Sequence, residues 1–498
     1  MSDESLPAGW ALTQINQVAT NYSGNSKLIK GKLSQDPGEG LYPAFSASGQ
    51  DVWHSEYGEE GMAIIVSAVG ARCGKVFRAS GKWSAIANTH VVKINPIAGH
   101  LNYFYYLLNR EHYWVKGGSA QPFVRTKATF ERPFPLPPLA EQKRIVAKIE
   151  ELFSELDAGE ESLRRARRQL GVYRQSLLKQ AFEGKLTAPW RAQHPDLLEP
   201  PEHLLARIQA ERQARYQQQL KEWEKAAGNG SKPRKPPTVS SIPADEAAHL
   251  EPLPPGWTWI PFSAVCDFLN GDRSKNYPNR SEYVENGIAW INTGHIEPDG
   301  SLSAERMNFI SREKFDSLSG GRIKPGDLVY CLRGATFGKT AFVSPYTEGA
   351  VASSLMIVRP INPDATPFIY RYLVSPLGKE QLQRFDNGSA QPNLSAASVA
   401  LYHFPLCSLP EQQEIVRLLD EQFTVIDQNE REIDAALKRS EALRQSILKK
   451  AFTGQLVPQD PTDEPASTLL ERIRAEREAT ATKKPKKKAA GKRTTRHG

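Results

Sequence analysis

A long block of this sequence occurs twice, and the two copies stay in register without a gap. The first copy covers residues 118–186 and the second covers residues 388–456, at a constant offset of 270, as between Glu141 and Glu411. Each copy begins with GSAQP, continues as PLPPLAEQKRIV or PLCSLPEQQEIV, and ends as RQSLLKQAFEGKL or RQSILKKAFTGQL. Register kept over such a length indicates an internal duplication.

Each copy predicts one long amphipathic helix, because a proline-free stretch carries apolar residues at steps of three, four and seven. A single helix over residues 140–182 would be about 65 Å long; a two-helix hairpin is the alternative. One amphipathic helix cannot bury its own stripe, so we expect the other copy to pair with it, antiparallel and with approximate two-fold symmetry. The residues expected to pair are Ile145, Ile149, Leu152, Leu156, Leu163, Leu170, Leu177, Ile415, Leu419, Ile426, Ile433, Leu443 and Ile447.

The remainder of the chain is duplicated in outline only. LPAGW and LPPGW open the two units at Leu6 and Leu253, but the segments between each opener and GSAQP barely resemble each other. Their apolar, β-prone runs broken by glycine turns indicate mixed α/β globules. A duplicated scaffold with diverged globules favours the binding of two different targets at a fixed separation.

These patterns predict an α+β fold, in which two mixed α/β domains are separated by long antiparallel, coiled-coil-like helices with an internal pseudo-two-fold repeat. The expected segments are a globular domain at 1–138, a helix region at 139–188, a polar helix and proline-rich basic linker at 189–252, a second globular domain at 253–408, a second helix region at 409–458, and a polar helix with a basic tail at 459–498.

The formal net charge of +8 is concentrated at the end of the chain. Residues 483–498 carry eight lysines and arginines and no acidic residue, so the rest of the chain is close to neutral. Such a tail suits non-specific contact with polyanions. Four cysteines, far apart and without a CxxC pair, argue against zinc sites and a disulfide framework. With no apolar run long enough to span a bilayer and a polar start, we expect a cytoplasmic protein.

Two glycine–lysine motifs, GARCGK at residues 70–75 and GATFGK at residues 334–339, resemble phosphate loops only superficially. A Walker A loop needs a glycine where Arg333 stands, and Val76 replaces the required hydroxyl in the first motif. A glycine turn that carries a lysine out of a hairpin explains both motifs better. The INP sequences lack the rest of an amino-methyltransferase loop, and the ten histidines are scattered. We therefore predict no catalytic residue, no metal site and no cofactor bound by this chain.

Cations mixed with aromatics and amides follow each opener, in NYSGNSKLIKGK at residues 21–32 and in NGDRSKNYPNR at residues 270–280. Lysine and arginine suit phosphates, while arginine and asparagine can address base edges in the major groove. These loops predict DNA binding, and an ordinary solvated loop is the alternative.

Taken together, the LPxGW openers, the two GSAQP motifs, the LxEQ helix starts and the RQS blocks resemble the specificity subunit of type I restriction–modification systems, over nearly the full length. Any single motif is weak, but the combination, twice in one chain, is highly specific. The resemblance implies two target-recognition domains that each read one half of a bipartite, asymmetric DNA sequence. It also implies that the helices set the spacer between the halves.

The resemblance further implies the partners: double-stranded DNA, two modification (methyltransferase) subunits that dock on the helices, and restriction (translocase and nuclease) subunits, with no membrane. Adenine methylation and ATP-driven translocation would take place on those subunits, with S-adenosylmethionine, ATP and Mg²⁺ bound there. This chain would be non-catalytic.

Carried over by position, the residues expected to face DNA are Lys27, Lys30, Lys32, Arg72, Lys75, Ser119 and Gln121 in the first domain and Arg273, Lys275, Asn276, Arg333, Lys339, Ser389 and Gln391 in the second. After GSAQP the second copy continues NLS, as the family tends to, whereas the first continues FVR, so the first domain should present this turn differently. One alternative is a protein-interaction scaffold with two divergent binding modules held apart by helices, for which DNA affinity would lack a steep salt dependence. Another is an enzyme built on the glycine–lysine turns, in which Lys339 would be essential for turnover.

Overall fold

The computed structural model describes residues 6–110, 113–225, 232–233, 235–236, 241–334, 337–385 and 394–482. The chain forms two compact units. Unit 1 comprises Met1–Arg164 and Asp434–Gly498, and unit 2 comprises Arg165–Ile433. Each unit therefore contains one globular domain together with helical segments from both copies of the repeat. This division cuts across the six linear segments expected from the sequence, whose boundaries stay a prediction.

The strands are β1 (Ala11–Gln14), β2 (Ala19–Ser23), β3 (Tyr42–Ser46), β4 (Gly49–His54), β5 (Glu59–Glu60), β6 (Ala63–Ser67), β7 (Val76–Ala79), β8 (Lys82–Ala85), β9 (Thr89–Ile94), β10 (Lys116–Gly117), β11 (Phe123–Val124), β12 (Pro133–Leu136), β13 (Thr258–Pro261), β14 (Cys266–Asn270), β15 (Tyr283–Val284), β16 (Ile288–Ile291), β17 (Asn308–Ile310), β18 (Leu328–Cys331), β19 (Thr340–Phe342), β20 (Gly349–Val351), β21 (Leu355–Pro360) and β22 (His403–Leu406).

The α-helices are α1 (Ile15–Val18), α2 (Leu101–Leu108), α3 (Thr126–Phe130), α4 (Leu139–Phe182), α5 (Ala188–Gln193), α6 (Pro201–Lys225), α7 (Ala244–Ala247), α8 (Arg312–Ser317), α9 (Thr366–Val374), α10 (Pro376–Arg384), α11 (Ala396–Ala400), α12 (Leu409–Ala451) and α13 (Ala466–Thr482). Mixed helix and sheet, in two sheet-rich domains with long helices, confirm the predicted α+β class. Among the described residues, no helix is both long and apolar enough to cross a membrane.

The two diverged globules share the topology of one four-stranded sheet. Its order is β2-β9-β6-β7 in unit 1 and β14-β21-β18-β19 in unit 2. The apolar runs that the sequence marked as strands lie here, and β6 and β18 are buried along their whole length. Strands buried on both faces read as continuous apolar runs, which is why they were recognisable.

A second four-stranded sheet shows where the globules differ. In unit 1, β3 pairs antiparallel with β4 and parallel with β8. In unit 2, β16 pairs antiparallel with β17 and parallel with β20. The fourth strand joins at opposite ends, because β5 extends β8 whereas β15 extends β17. The two domains therefore differ in the outermost strand of this sheet, while the pairings among the other three strands are repeated.

Both long helices are unbroken, with 44 residues in α4 and 43 in α12, so the single-helix prediction is confirmed and the two-helix hairpin is wrong. Within unit 1, Asp157 of α4 pairs with Arg444 of α12. Three residues further along α4, the Glu160 carboxylate accepts a hydrogen bond from the Ser440 hydroxyl at 2.7 Å. The contacts thus move towards the C-terminus of α4 as they move towards the N-terminus of α12, so the two helices are antiparallel.

Most of the predicted seam residues are buried or half-buried. Ile145 and Ile149 join the core of unit 1 together with Leu448, and the buried seam residues of unit 2 are Leu177, Ile415, Leu419 and Ile426. Ile433 is also buried, while Leu152, Leu156, Leu163, Leu170 and Ile447 are half-buried. The placement of Leu443 in the seam is wrong, since this residue is 52% exposed. Ser440 and Arg444, which contact Glu160, occupy the α12 positions that face α4.

The two polar helices dock on the globules in the same way. Leu204 and Ile208 of α6 belong to the core of unit 2, and Leu470 and Ile473 of α13 to the core of unit 1. One helical turn further along, an arginine on each helix donates hydrogen bonds to backbone carbonyls in or next to the segment that links the first two strands of the domain. Arg212 donates to the carbonyls of Ser263 and Cys266 at 2.9 and 3.0 Å, and Arg477 donates to that of Asn16 at 3.0 Å.

Candidate nucleic-acid interface

Each globular domain is joined to its long helix by a buried tryptophan–glutamate hydrogen bond. The first and last strands of each domain pair antiparallel, β1 with β12 and β13 with β22, which brings the LPxGW opener to the first turn of the helix. There the Trp10 indole donates to the Glu141 carboxylate at 2.9 Å, and the Trp257 indole donates to that of Glu411 at 3.0 Å. The co-occurrence of the opener and the LxEQ motif thus has a structural cause.

The glycine–lysine motif of the first domain forms the turn of the β6–β7 hairpin, as predicted. Gly70 and Gly74 adopt positive φ angles of +86° and +89°. A side chain at Gly74 would also meet the Trp114 ring at 2.9 Å. The turn leaves Arg72 and Lys75 exposed.

The first GSAQP loop packs directly against this turn. The Gly70 backbone N–H donates to the Pro122 carbonyl at 2.8 Å, and the Val124 N–H donates to the Ala68 carbonyl at 2.9 Å. The FVR sequence that departs from the family pattern provides β11, which pairs with β10. Ser119 and Gln121 are exposed in the intervening loop, so the structure brings these two residues close to the glycine–lysine turn.

The basic loop of the first domain begins where β2 ends. Lys27, Lys30 and Lys32 are all exposed there, although Lys30 forms an ion pair with Asp51. Ile29 is 50% exposed between these lysines. Ile29 is not among the residues expected to face DNA, and the sequence marks it only as an apolar residue within a run of cations.

The basic loop of the second domain follows β14. Arg273 and Lys275 are exposed. Asn276 is half-buried, and its side-chain N–H donates to the Ser317 carbonyl at 2.9 Å. Its amide nitrogen is therefore used in a contact within the domain. The structure also reveals a residue that the sequence analysis did not select, Asp272, whose carboxylate is 1% exposed within this loop.

The described residues of the second glycine–lysine motif, 334 and 337–339, lie between the antiparallel strands β18 and β19 in a hairpin, again as predicted. Gly334 and Gly338 have φ angles of +82° and +79°, and Arg333 and Lys339 are exposed. Ser389 and Gln391 lie outside the described residues. Leu394 is the next described residue, and its N–H donates to the carbonyl of Leu332, the residue before Arg333, at 3.0 Å.

Strand direction brings the basic loop and the glycine–lysine turn of each domain to the same end of one sheet, which we call the sheet edge, where two of its strands terminate. In unit 1, β2 and β6 both pair antiparallel with β9, so both end beside His90. In unit 2, β14 and β18 both pair antiparallel with β21 and end beside Leu355 and Met356. Two segments about 45 to 60 residues apart in sequence therefore leave the same edge and present exposed cations together, in both domains.

Two histidines of the globular domains are shielded from solvent, since His90, beside the ends of β2 and β6, is half-buried and His295 is buried. Burial lowers the pKa of His90 and of His295, which favours neutral rings. All four cysteines are buried, and none of them forms a disulfide in the described residues. In the described part of the chain, no group of three histidine, cysteine, aspartate or glutamate side chains could hold a metal ion.

Comparisons with known proteins agree with this geometry. A family model described as the type I restriction modification DNA specificity domain matches residues 7–163 and 254–439. Each matched segment begins at the second residue of an opener and covers one globular domain and more than half of one long helix.

The chain is 26% identical over 508 residues to the type I restriction enzyme EcoDI specificity subunit of Escherichia coli, covering 98% of this chain and 100% of that protein. It is 25% identical over 420 residues to the EcoBI specificity subunit of Escherichia coli, covering 81% of this chain and 78% of that protein. A structure solved in a study of complex assembly and conformational transition of the type I R-M system aligns with a TM-score of 0.59 at 17% identity. That alignment covers 91% of this chain and 99% of the other, and it shows a shared fold.

Proposed function

This chain belongs to the type I restriction–modification DNA specificity family, and we propose that its two globular domains each read one half of a bipartite, asymmetric DNA target. As a specificity subunit it is non-catalytic, and the catalytic activities of such systems are carried by partner subunits. The observation that carries the proposal is the repeated sheet edge, where a basic loop and a glycine–lysine turn emerge together in both domains.

The chemistry of this edge suits duplex DNA. Exposed lysines and arginines neutralise phosphates and set the orientation of the protein on the duplex. An arginine in a groove can also bind the O6 and N7 atoms of guanine in a bidentate manner, which suits Arg72, Arg273 and Arg333. Because the loop sequences differ between the domains while the strands beneath them correspond, the two domains read different bases from similar platforms.

We propose that the paired helices set the spacer between the half-sites and dock two copies of a modification subunit. A groove between the globular domain and the helix pair supports this, because it occurs in both units. In unit 2 its volume is about 410 Å³ and the Arg174 guanidinium lies 4.7 Å from the Phe423 ring centre. In unit 1 the volume is about 340 Å³ and Arg444 lies 5.1 Å from Phe153.

The helix residues that line the two grooves correspond at the offset of 270, namely Phe153 with Phe423, Arg174 with Arg444, Gln175 with Gln445 and Leu178 with Leu448. A surface kept in both units, beside globules that have diverged, favours two copies of one partner. We assign S-adenosylmethionine, ATP and Mg²⁺ to the partner subunits. We also assign the chain to the cytoplasm, where it would act on DNA, and four buried thiols outside any disulfide suit a reducing compartment.

Selection of bound DNA from a random duplex library tests the proposal, with the full chain in complex with its modification subunits. We expect enrichment of one split motif with a constant spacer. The logarithm of the association constant should fall linearly with the logarithm of salt, with a slope of about −0.9 per phosphate contact. Replacing Lys27 and Lys32 by glutamine should reduce this slope by roughly 2. Salt-insensitive binding without a split motif would contradict DNA recognition and favour a protein scaffold.

A further inference from the structure

The basic loop of the second domain is held by a buried carboxylate. Asp272 directly precedes the exposed Arg273 and is itself only 1% exposed. One carboxylate oxygen accepts hydrogen bonds from the Ser274 backbone N–H at 2.9 Å and from the Ser274 hydroxyl at 2.7 Å. These two contacts fix the turn that places Arg273 and Lys275 on the surface.

The other carboxylate oxygen ties the loop to a second segment, the turn that precedes β18. It accepts hydrogen bonds from the Ser319 N–H at 2.9 Å, the Ser319 hydroxyl at 3.2 Å and the Gly320 N–H at 3.1 Å. The backbones approach so closely that a side chain at Gly321, where φ is +70°, would lie 2.7 Å from the Asp272 nitrogen. The loop is therefore anchored to neighbouring backbone.

The chemistry of the site requires an ionised aspartate. All five partners are donors, so a side-chain amide at this position would direct its own N–H groups at backbone N–H groups. Burial alone would raise the pKa of Asp272, but the hydrogen bonds from Ser274, Gly320 and Ser319 together hold this pKa below its usual value. The carboxylate remains charged across the physiological pH range.

The first domain has a related turn at the corresponding position. Asn25 lies 247 residues before Asp272, the same offset as between Trp10 and Trp257. Its side-chain oxygen accepts a hydrogen bond from the Lys27 N–H at 3.0 Å. Here the side chain is exposed and, within the described residues, its oxygen accepts this one hydrogen bond. The same kind of turn therefore begins both basic loops, but it is held by fewer contacts in the first domain.

We propose that Asp272 and Asn25 are positioning residues for DNA recognition, which hold the backbone of the basic loops in the geometry that presents their cations. The inference rests on the proposed function of the two domains. A loop ordered before binding loses less conformational entropy on association. It also rejects an incorrect base rather than adapting to it, so the main effect of its loss should be on selectivity, in one half-site at a time.

The test uses the full chain with its modification subunits and the library selection described above. Asp272→Asn should relax base preference only in the half-site read by the second domain. Asn25→Ala should relax it only in the other. A single mismatch typically costs about 1–3 kcal/mol, roughly 5- to 150-fold in affinity, and we expect this discrimination to fall below about threefold. Asn25→Asp keeps a side-chain acceptor and should restore selectivity.

Asp460 supplies a matched control that lies outside both basic loops and both grooves. Its carboxylate accepts hydrogen bonds from the Thr462 N–H at 2.8 Å and from the Thr462 hydroxyl at 2.6 Å, the same pair of contacts that Asp272 makes with Ser274. Asp460→Asn should leave both half-sites unchanged. Unaltered selectivity in Asp272→Asn and Asn25→Ala, or equal relaxation of both half-sites, would overturn the positioning role. If Asp272→Asn does not fold, the comparison of Asn25→Ala with Asn25→Asp at the exposed position tests the positioning role. A wild-type complex that selects no split motif would instead contradict the proposed function.

Discussion

The Trp257 indole donates a hydrogen bond to the buried Glu411 carboxylate at 3.0 Å, and this contact joins the second globular domain to the first turn of α12. Glu411 also accepts a hydrogen bond from the Thr187 hydroxyl and forms an ion pair with Arg191, both at 2.7 Å. The corresponding Glu141 in unit 1 accepts hydrogen bonds from Trp10 and Gln459 instead. The junction is thus repeated, but only one copy contains an arginine hydrogen-bonded to the glutamate.

Trp257→Phe should destabilise the protein by about 1–3 kcal/mol, because it leaves a buried acceptor without one of its donors. Trp259→Phe is the matched control, since that indole donates to the Glu251 carbonyl in an exposed contact, and surface changes of this kind usually stay within about 0.5 kcal/mol. Chemical unfolding of both variants measures the difference. Equal losses would show that the buried hydrogen bond contributes little.

Glu141→Gln should stabilise unit 1 at neutral pH. Burial raises the pKa of the Glu141 carboxyl, although hydrogen bonds from Trp10 and Gln459 oppose the shift. A folded-state pKa above the unfolded value means that the charged form destabilises the fold, so stability falls as pH rises through the interval between the two values. The advantage of the glutamine should therefore be full at neutral pH and disappear below the unfolded pKa. Thermal unfolding across pH tests this, and an advantage that grows on acidification would contradict it.

Glu411→Gln should have the opposite effect at neutral pH. The side chain of Arg191 is 11% exposed and that of Glu411 is 1% exposed, so removal of the carboxylate leaves a largely buried guanidinium without its charged partner. Breaking a buried pair in this way typically costs about 3–5 kcal/mol. Chemical unfolding at pH 7 should show a marked loss. If Glu411→Gln were as stable as Glu141→Gln, the role assigned to Arg191 would be wrong.

Arg212→Ala should destabilise unit 2 by about 1.5–3 kcal/mol, because hydrogen bonds from a charged group to the Ser263 and Cys266 carbonyls are lost. Arg207→Ala on the same helix is the control. Its ion pair with Glu199 is largely solvent-exposed, and such pairs contribute about 0–1 kcal/mol. Urea unfolding of the two variants should separate them clearly, and similar midpoints would argue against the carbonyl contacts as an anchor for α6.

Gln175→Arg and Gln445→Arg should each reduce the number of bound modification subunits from two to one, because each places a bulky cation in one of the two corresponding grooves. The double variant should bind none. Native mass spectrometry of the assembled complex counts the subunits. Gln217→Arg, on the exposed surface of α6, is a control that should keep both. Full assembly of the double variant would show that the grooves are not docking sites.

Local patterns explain which parts of the fold could be predicted. The seam of α4 and α12, the strands β6 and β18 and the two glycine turns each follow from residues close together in sequence. The division into units could not be predicted, because it depends on pairing between segments nearly 300 residues apart, such as Asp157 with Arg444. Leu443 was misplaced for a related reason, since the polar contacts of Glu160 determine which residues of α12 face α4.

The candidate interface was predictable in part. Exposed cations after each opener and in each glycine turn were selected by charge, and the structure brings them to one sheet edge in both domains. Asn276 was selected for its amide, which the structure uses for a contact with Ser317. Asp272 could not be recognised from the sequence, because its carboxylate has the same sign of charge as phosphate and its structural role depends on backbone N–H groups of a turn 47 residues away.

Mapping DNA methylation at single-base resolution tests the central claim most directly. Cells that carry the cognate modification subunit would be compared with and without this chain, and with a variant in which only the loop at residues 272–276 is replaced. The account predicts N6-methyladenine at one split, asymmetric motif that depends on this chain, and a change in only one half of that motif in the loop variant. A methylome that is the same with and without the chain, in the presence of an active modification subunit, would contradict it.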